Sequence, residues 1–262
     1  MLEMKLDLYQ VDAFAGKVFE GNPAAVCPLQ DWLPDKQLRN IAMENNLSET
    51  AYFVEKGDTY RLRWFTPVAE VDLCGHATLA SAHVLFEHLG YDKPEIVFDS
   101  NSGLLRVRKE NGMLKMNFPA TIGEQVDPPE TLLDALGTGA EEVYRGTDYM
   151  LVLESEDQVR KLDPNFFLLN KIDTRGIIVT APGEDYDFVS RFFAPALGIN
   201  EDPVTGSAHT MMTPYWSEKF GKKEMKARQI SKRGGTVMCT MLGDRVEIAG
   251  KAVTYLEGLI NI

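Results

Sequence analysis

Long apolar runs are missing from this chain. No stretch approaches the ~20 residues that a membrane-spanning helix needs, and the opening segment MLEMKLDLYQVDAF lacks the apolar core of a secretory leader. No membrane partner is expected. Cysteine is scarce: Cys27, Cys74 and Cys239 are an odd number at wide, unrelated spacings. A disulfide framework is therefore not expected, and a reducing, cytoplasmic setting is. Basic residues fall short of acidic ones, 27 against 39, for a net charge of -12. Such a chain offers a phosphate backbone no general attraction, so nucleic acid is not an expected partner. Nucleotide signatures are absent as well. Gly137-Thr138-Gly139 starts like a dinucleotide loop but lacks the third glycine and follows a helix-like segment, and there is no Walker lysine loop. Of the four histidines, His83 and His88 lie five apart, which does not set both on one helical face as metal ligands require. They read as surface-helix residues, and neither a metal nor any other cofactor is expected. What remains is ordinary for a globular protein: 44% hydrophobic and 25% charged residues in 262, enough for one large domain or two halves.

The halves resemble each other. Arg63-Trp64-Phe65-Thr66-Pro67 and Arg191-Phe192-Phe193-Ala194-Pro195 lie 128 residues apart, Pro34 and Asn40 match Pro164 and Asn170 at 130, and Ser100, Gly103 and Gly112 match Ser231, Gly234 and Gly243 at 131. Short identities arise by chance, but these keep one order at nearly one offset, close to half the chain. The element order repeats too. In the first half, Pro34 opens a helix with Leu38, Ile41 and Ala42 as its apolar stripe. The strands TAYFVEK and RLRWF follow, then the glycine-led helix GHATLASAHVLFEHLG and a hairpin over LLRVRKENGMLKMNF, turned at Asn111-Gly112. In the second half come a helix at 164–170, the strands GIIVTA and DFVSRFF, a helix over TGSAHTMMTPYWSEKFG and the hairpin TVMCTMLGDRVEIAG. The proline-bearing stretch NFPATIGEQVDPPE reads as the linker. The expectation is two α+β lobes, residues 1–120 and 121–262, with the last strand free to pack back on the first lobe and a site in the cleft on the pseudo-axis.

Three places carry chemistry. Cys74-Gly75-His76 and Thr205-Gly206-Ser207 each open a helix. A glycine there lets backbone N–H groups approach an anion at a helix N-terminus, although it equally suits a tight strand-to-helix turn. Aligned without gaps, the repeat sets Asp202 opposite Cys74. The third place is Glu49, between a helix end and an apolar strand. A solvated strand-end glutamate is the commoner case, whereas one turned into a cleft is suited to acid/base work. No second acid or thiol answers Glu49 in the other half, which favours one base over an opposed pair.

The segments DAFAGKVFEGNPAAVC, NNLSETAYF, RWFTPVAEVDLCGHATLASAH and RFFAPALGINEDPVTGSAH together closely resemble the PhzF-like family of phenazine biosynthesis. The resemblance runs from about residue 7 to the C-terminal strands. It implies a fold like diaminopimelate epimerase: two pseudo-symmetric lobes, each a β-sheet barrel around a central helix. It also implies a cofactor-independent isomerase, in which Glu49 is the acid/base residue and His76 and Asp202 are its catalytic companions. Gly75, Gly206 and Ser207 then bind a small substrate bearing a carboxylate or amine, and the protein is a homodimer. Related epimerases use two opposed cysteines; here Asp202-Pro203 stands where a second thiol would be needed. A metabolite-binding protein without turnover, or an amino-acid epimerase working through Cys74, are the other readings.

Overall fold

Asn111 and Gly112 both take positive φ, +52° and +73°, the backbone a two-residue hairpin turn needs to match the twist of its strands. This turn joins β7 (Gly103–Glu110) to β8 (Met113–Pro119), as read from the sequence. The computed structural model describes residues 4–262, which fall into two units, one running up to Asn117 and joined by Ala249–Ile262, the other Phe118–Ile248.

The first unit begins with β1 (Lys5–Ala13), β2 (Asn22–Leu29), α1 (Asp35–Asn45), β3 (Glu49–Lys56), β4 (Thr59–Phe65) and β5 (Glu70–Val71). It continues with α2 (Gly75–Glu87), β6 (Glu95–Ser100), β7 and β8. Strand β1 pairs antiparallel with β2 and with the last strand, β18 (Ala252–Asn261). Strand β2 pairs parallel with β3, β3 antiparallel with β4, and β4 antiparallel with β5 and parallel with β6. The β6–β7–β8 meander is antiparallel. Helix α1 buries one face, Leu38, Ile41 and Ala42, against a cluster holding Tyr52 and Phe65, as expected of a surface helix with a 3.6-residue stripe. Helix α2 is different. It is buried from His76 through Ala82 and again at Val84 and Leu85, and it packs against β1, β2, β3 and β18. A helix apolar on every side belongs in a core, and its alanines at 77, 80 and 82 let the strands come close.

The second unit comprises β9 (Glu124–Gln125), α3 (Glu130–Leu136), β10 (Glu142–Arg145), β11 (Tyr149–Val152), α4 (Glu156–Lys161), α5 (Phe166–Leu169), β12 (Ile177–Pro182) and β13 (Phe188–Ala194). Then come β14 (Ile199–Asp202), α6 (His209–Phe220), β15 (Glu224–Gln229), β16 (Gly235–Leu242) and β17 (Arg245–Gly250). Its pairings repeat those of the first: β11 parallel with β12, β12 antiparallel with β13, β13 antiparallel with β14 and parallel with β15, and β15 antiparallel with β16. Side chains repeat as well. The Arg63 fork grips both oxygens of Glu70 at 2.7 Å and lies 5.0 Å over the Phe65 ring. The Arg191 fork grips Glu201 at 2.7 and 2.9 Å and lies 5.0 Å over Phe193.

Two expected helices differ in extent. The helix read at 164–170 is only α5, one turn capped by the Asn165 side chain, which accepts the Leu168 N–H at 3.2 Å. The helix read from Thr205 starts four residues later, at His209, after a turn over 206–208. Inside α6, Pro214 has no N–H to give the Thr210 carbonyl, and the Thr121 backbone N–H fills that place at 3.0 Å. The fold is α+β, with parallel and antiparallel pairs mixed in each unit.

Candidate active site

Glu49 stands where α1 gives way to β3. Asn46 closes α1 in the left-handed region at φ +49°, a conformation asparagine tolerates. The Asn45 amide then donates to the Thr50 hydroxyl at 3.1 Å, which pins the turn. Parallel pairing of β2 with β3 sets Glu49 beside Ala24. Glu49 Oε2 lies 3.1 Å from His76 Nε2, and the two side chains are only 13% and 7% exposed. His76 follows Gly75 in the first turn of α2, while Cys74 caps that helix. The Cys74 Sγ is 3.6 Å from His76 Nδ1 and 4.0 Å from Nε2. Asn22, the first residue of β2, brings its amide nitrogen within 3.2 Å of Nδ1. The other ring nitrogen, Nε2, turns its N–H toward Glu49.

Burial and the neighbouring groups set the charge preferences of His76 and Cys74. Burial works against charge on His76, but Cys74 and Glu49 beside it prevail and hold the imidazole well above the ordinary histidine range. Burial, with Glu49 adding to it, pushes the Cys74 thiol up. A carboxylate beside an imidazole that readily carries a proton is an acid/base pair on a buried surface.

The second unit builds around the turn at Gly206. Asp202 ends β14, opposite Phe192, and is buried; its carboxylate accepts the Thr205 hydroxyl. Gln229, wholly buried, staples this loop: its amide donates to the Asp202 carbonyl at 2.6 Å and its oxygen accepts the Thr205 N–H at 2.9 Å. Gly206 is buried and Ser207 half-buried. The Ser207 hydroxyl accepts from Arg175 Nη1 at 3.1 Å, while Arg175 forks onto buried Asp148. His209, fully buried, donates from Nδ1 to the Thr205 carbonyl at 2.9 Å. Burial pushes its pKa down to about 4, so the ring is neutral.

Glu49, Gly75 and His76 thus gather in the first unit together with Cys74, and Asp202, Gly206 and Ser207 gather around one turn in the second. The ungapped match of Cys74 with Asp202 gives way to a different one. Thr205 precedes Gly206 as Cys74 precedes Gly75, and Asp202 lies three residues before it. Thr50 pairs with Phe65 as Ile177 pairs with Phe193, which sets Glu49 level with Gly176, directly after Arg175. One unit offers an acid at this strand start and the other a guanidinium. Asn22, Asp148, Arg175 and Gln229 escaped the sequence reading. Arg175 becomes visible only through strand register, because the sequence offsets of 128 to 131 set Glu49 opposite residues from Ile177 onward. His83 and His88, expected on the surface, are half-buried and both meet the Thr254 hydroxyl of β18, at 2.9 and 2.7 Å.

The family model described as "phenazine biosynthesis-like protein" matches residues 11–258. An uncharacterized isomerase of Pseudomonas aeruginosa is 50% identical, over 99% of this chain and 100% of its own length. The crystal structure of a PhzF-family phenazine biosynthesis protein from Enterococcus faecalis superposes with a TM-score of 0.97 at 46% identity, covering 99% of this chain and 100% of that one. The structure of a predicted epimerase from Pseudomonas aeruginosa, 18% identical, superposes with a TM-score of 0.74 over 97% of this chain and 99% of that one, a likeness of fold.

Proposed function

The chain belongs to the phenazine biosynthesis-like family, and from that membership and the geometry around Glu49 we propose that it is an isomerase. It relocates a proton on a small metabolite bearing a carboxylate or an amine, with Glu49 as the single acid/base residue and no cofactor. The observation that carries this reading is the 3.1 Å approach of the buried Glu49 carboxylate to His76. A carboxylate held in place within reach of a substrate C–H bond can serve as its general base. Glu49 takes the proton from one carbon and, as the acid, returns it to another on the same face. His76, carrying a proton on Nε2, steadies the carboxylate before the transfer and the negative charge that builds on the substrate during it.

The remaining roles follow the chemistry of each group. Gly75 in one unit and Gly206 with the Ser207 hydroxyl in the other are read as substrate-binding groups, and Arg175, hydrogen-bonded to Ser207, holds that hydroxyl in place. Asp202 binds the amine. Each unit is read as a sheet curled around its main helix, which the all-round burial of α2 supports. The family resemblance supports a homodimer working in the cytoplasm.

The test is proton NMR in deuterated water with dihydro-hydroxyanthranilate and a panel of amino acids, on the parent, Glu49→Gln and Cys74→Ser. Exchange at carbon that is lost in Glu49→Gln is the expected result. Exchange that survives Glu49→Gln and vanishes in Cys74→Ser would transfer the chemistry to the thiol, as in an epimerase. Ligand binding with no exchange at all would leave a binding protein.

A further inference from the structure

We propose that Glu49, Cys74 and His76 also form a capture site for a soft divalent transition-metal ion, zinc foremost, and that the ion switches the protein off. The capture stands on geometry alone; only the switching rests on the catalytic reading above.

The donor set is the first argument. A thiol, an imidazole nitrogen and a carboxylate oxygen all lie within 4.8 Å of one another. This mixture selects zinc and its neighbours over magnesium or calcium, which take oxygen ligands. Distances are the second. Bonds of about 2.3 Å to sulfur and 2.0–2.2 Å to nitrogen and oxygen at tetrahedral angles put S and N about 3.6 Å apart and N and O about 3.4 Å apart. The cluster has 4.0 Å from Cys74 Sγ to His76 Nε2 and 3.1 Å from Nε2 to Glu49 Oε2. Shifts of a few tenths of an ångström bring these two pairs into range, and the sulfur and carboxylate, within 4.8 Å of each other, close by up to about 1.2 Å to complete the site. The third argument is the state of Glu49: Oε2 is buried and makes no well-aligned hydrogen bond even with the imidazole beside it. A buried carboxylate oxygen in that condition is a ready ligand. Finally, Asn22 already holds the far ring nitrogen at 3.2 Å, the kind of outer support that orients ligating histidines.

Binding balances simply. As the S–Zn bond forms, the Cys74 thiol gives its proton to the buffer. The Nε2 proton of the imidazolium also leaves to the buffer as the metal takes its place, and the ring keeps its Nδ1 proton, which the Asn22 amide, with its oxygen turned inward, accepts. Three protein ligands leave a fourth position for water. With Glu49 bound to the ion, its lone pairs are no longer available to a substrate C–H.

Cobalt(II) alone is the probe. The parent is expected to bind one Co2+ per chain with a thiolate-to-cobalt charge-transfer band in the near ultraviolet, abolished in Cys74→Ser. Zinc should displace the cobalt, and Glu49→Gln should weaken binding at least ~10-fold. Circular dichroism checks that each variant is folded. Should Cys74→Ser fail to fold, the affinity of Glu49→Gln decides. A parent without the band at saturating cobalt, a band unchanged in Cys74→Ser (and so due to Cys27 or Cys239), or full affinity in Glu49→Gln would each overturn the site. Stoichiometric zinc should also stop solvent-deuterium exchange, and a chelator should restore it. Cobalt binding without exchange in any form sinks the isomerase alone, and exchange without cobalt binding sinks the metal site alone.

Discussion

At the scale of single residues, His76 on one side and His83 and His209 on the other are shifted in opposite directions, and the fold's response to pH follows. His209 is neutral in the fold, with burial pushing it down to about 4, whereas in the unfolded chain it protonates near 6.5. The unfolded state therefore binds more protons between these values. The contribution is complete above pH 6.5 and is lost as pH falls toward 4, worth up to ~3 kcal/mol. His83, which burial also pushes down to about 4, acts in the same direction. His76 has the opposite sign: its raised pKa supplies stability below 6.5 that fades as pH climbs through its folded value. Thermal melting from pH 7.5 to 4.5 should show the midpoint falling on acidification, and less steeply in His209→Gln. A fall of equal steepness in both proteins would remove His209 from the account. Sequence could point to Glu49 and the Gly75-His76 pair because each sits in a short local motif. It could not point to Asn22 or Gln229, whose partners His76 and Asp202 are 54 and 27 residues away. Nothing local records such pairings.

At the scale of elements, the start of β12 shows how packing fixes the difference between the units. A methyl group on Gly176 would lie 2.2 Å from the edge of the Phe192 ring, and Phe192 is itself buried beneath the Arg175 guanidinium, 5.6 Å away. The second unit thus has no room for a side chain at the level where the first carries Glu49. Gly176→Ala is expected to cost about 1–3 kcal/mol by overpacking, read as a lower midpoint in urea at unchanged slope; an unaltered midpoint would mean that Phe192 can turn aside freely. Element types were largely legible from period and turn chemistry, and their ends were less so. Helix α6 starts late because the chain turns at Gly206–Ala208, and its Pro214 is tolerated because Thr121 serves the carbonyl that the proline leaves open. Both facts depend on segments distant in sequence or on backbone detail that side-chain periodicity does not encode.

At the scale of the whole molecule, the repeat was visible from constant offsets, and the structure extends it to strand pairing and to the Arg63–Glu70 and Arg191–Glu201 forks. What the repeat cannot carry is function, because the two copies have diverged at the positions that bear chemistry. The last strand belongs to the first unit, where it covers β1 and supplies the hydroxyl that His83 and His88 share. Removing residues 252–262 should therefore lower the melting of the first unit, reported by Trp32 and Trp64, and leave the second, reported by Trp216, near the parent value. Equal losses in both would show the two units to melt as one.

The discontinuity of the first unit has a consequence for synthesis. Translation proceeds from the N-terminus, and domains generally fold as their chain emerges. Here the ribosome has delivered every residue of the second unit by Ile248, while the first still waits for Ala249–Ile262. The half that is begun first is the half that is completed last, and until then β1 shows the nascent chain's surroundings an open edge of the sort to which other strands and chaperones attach.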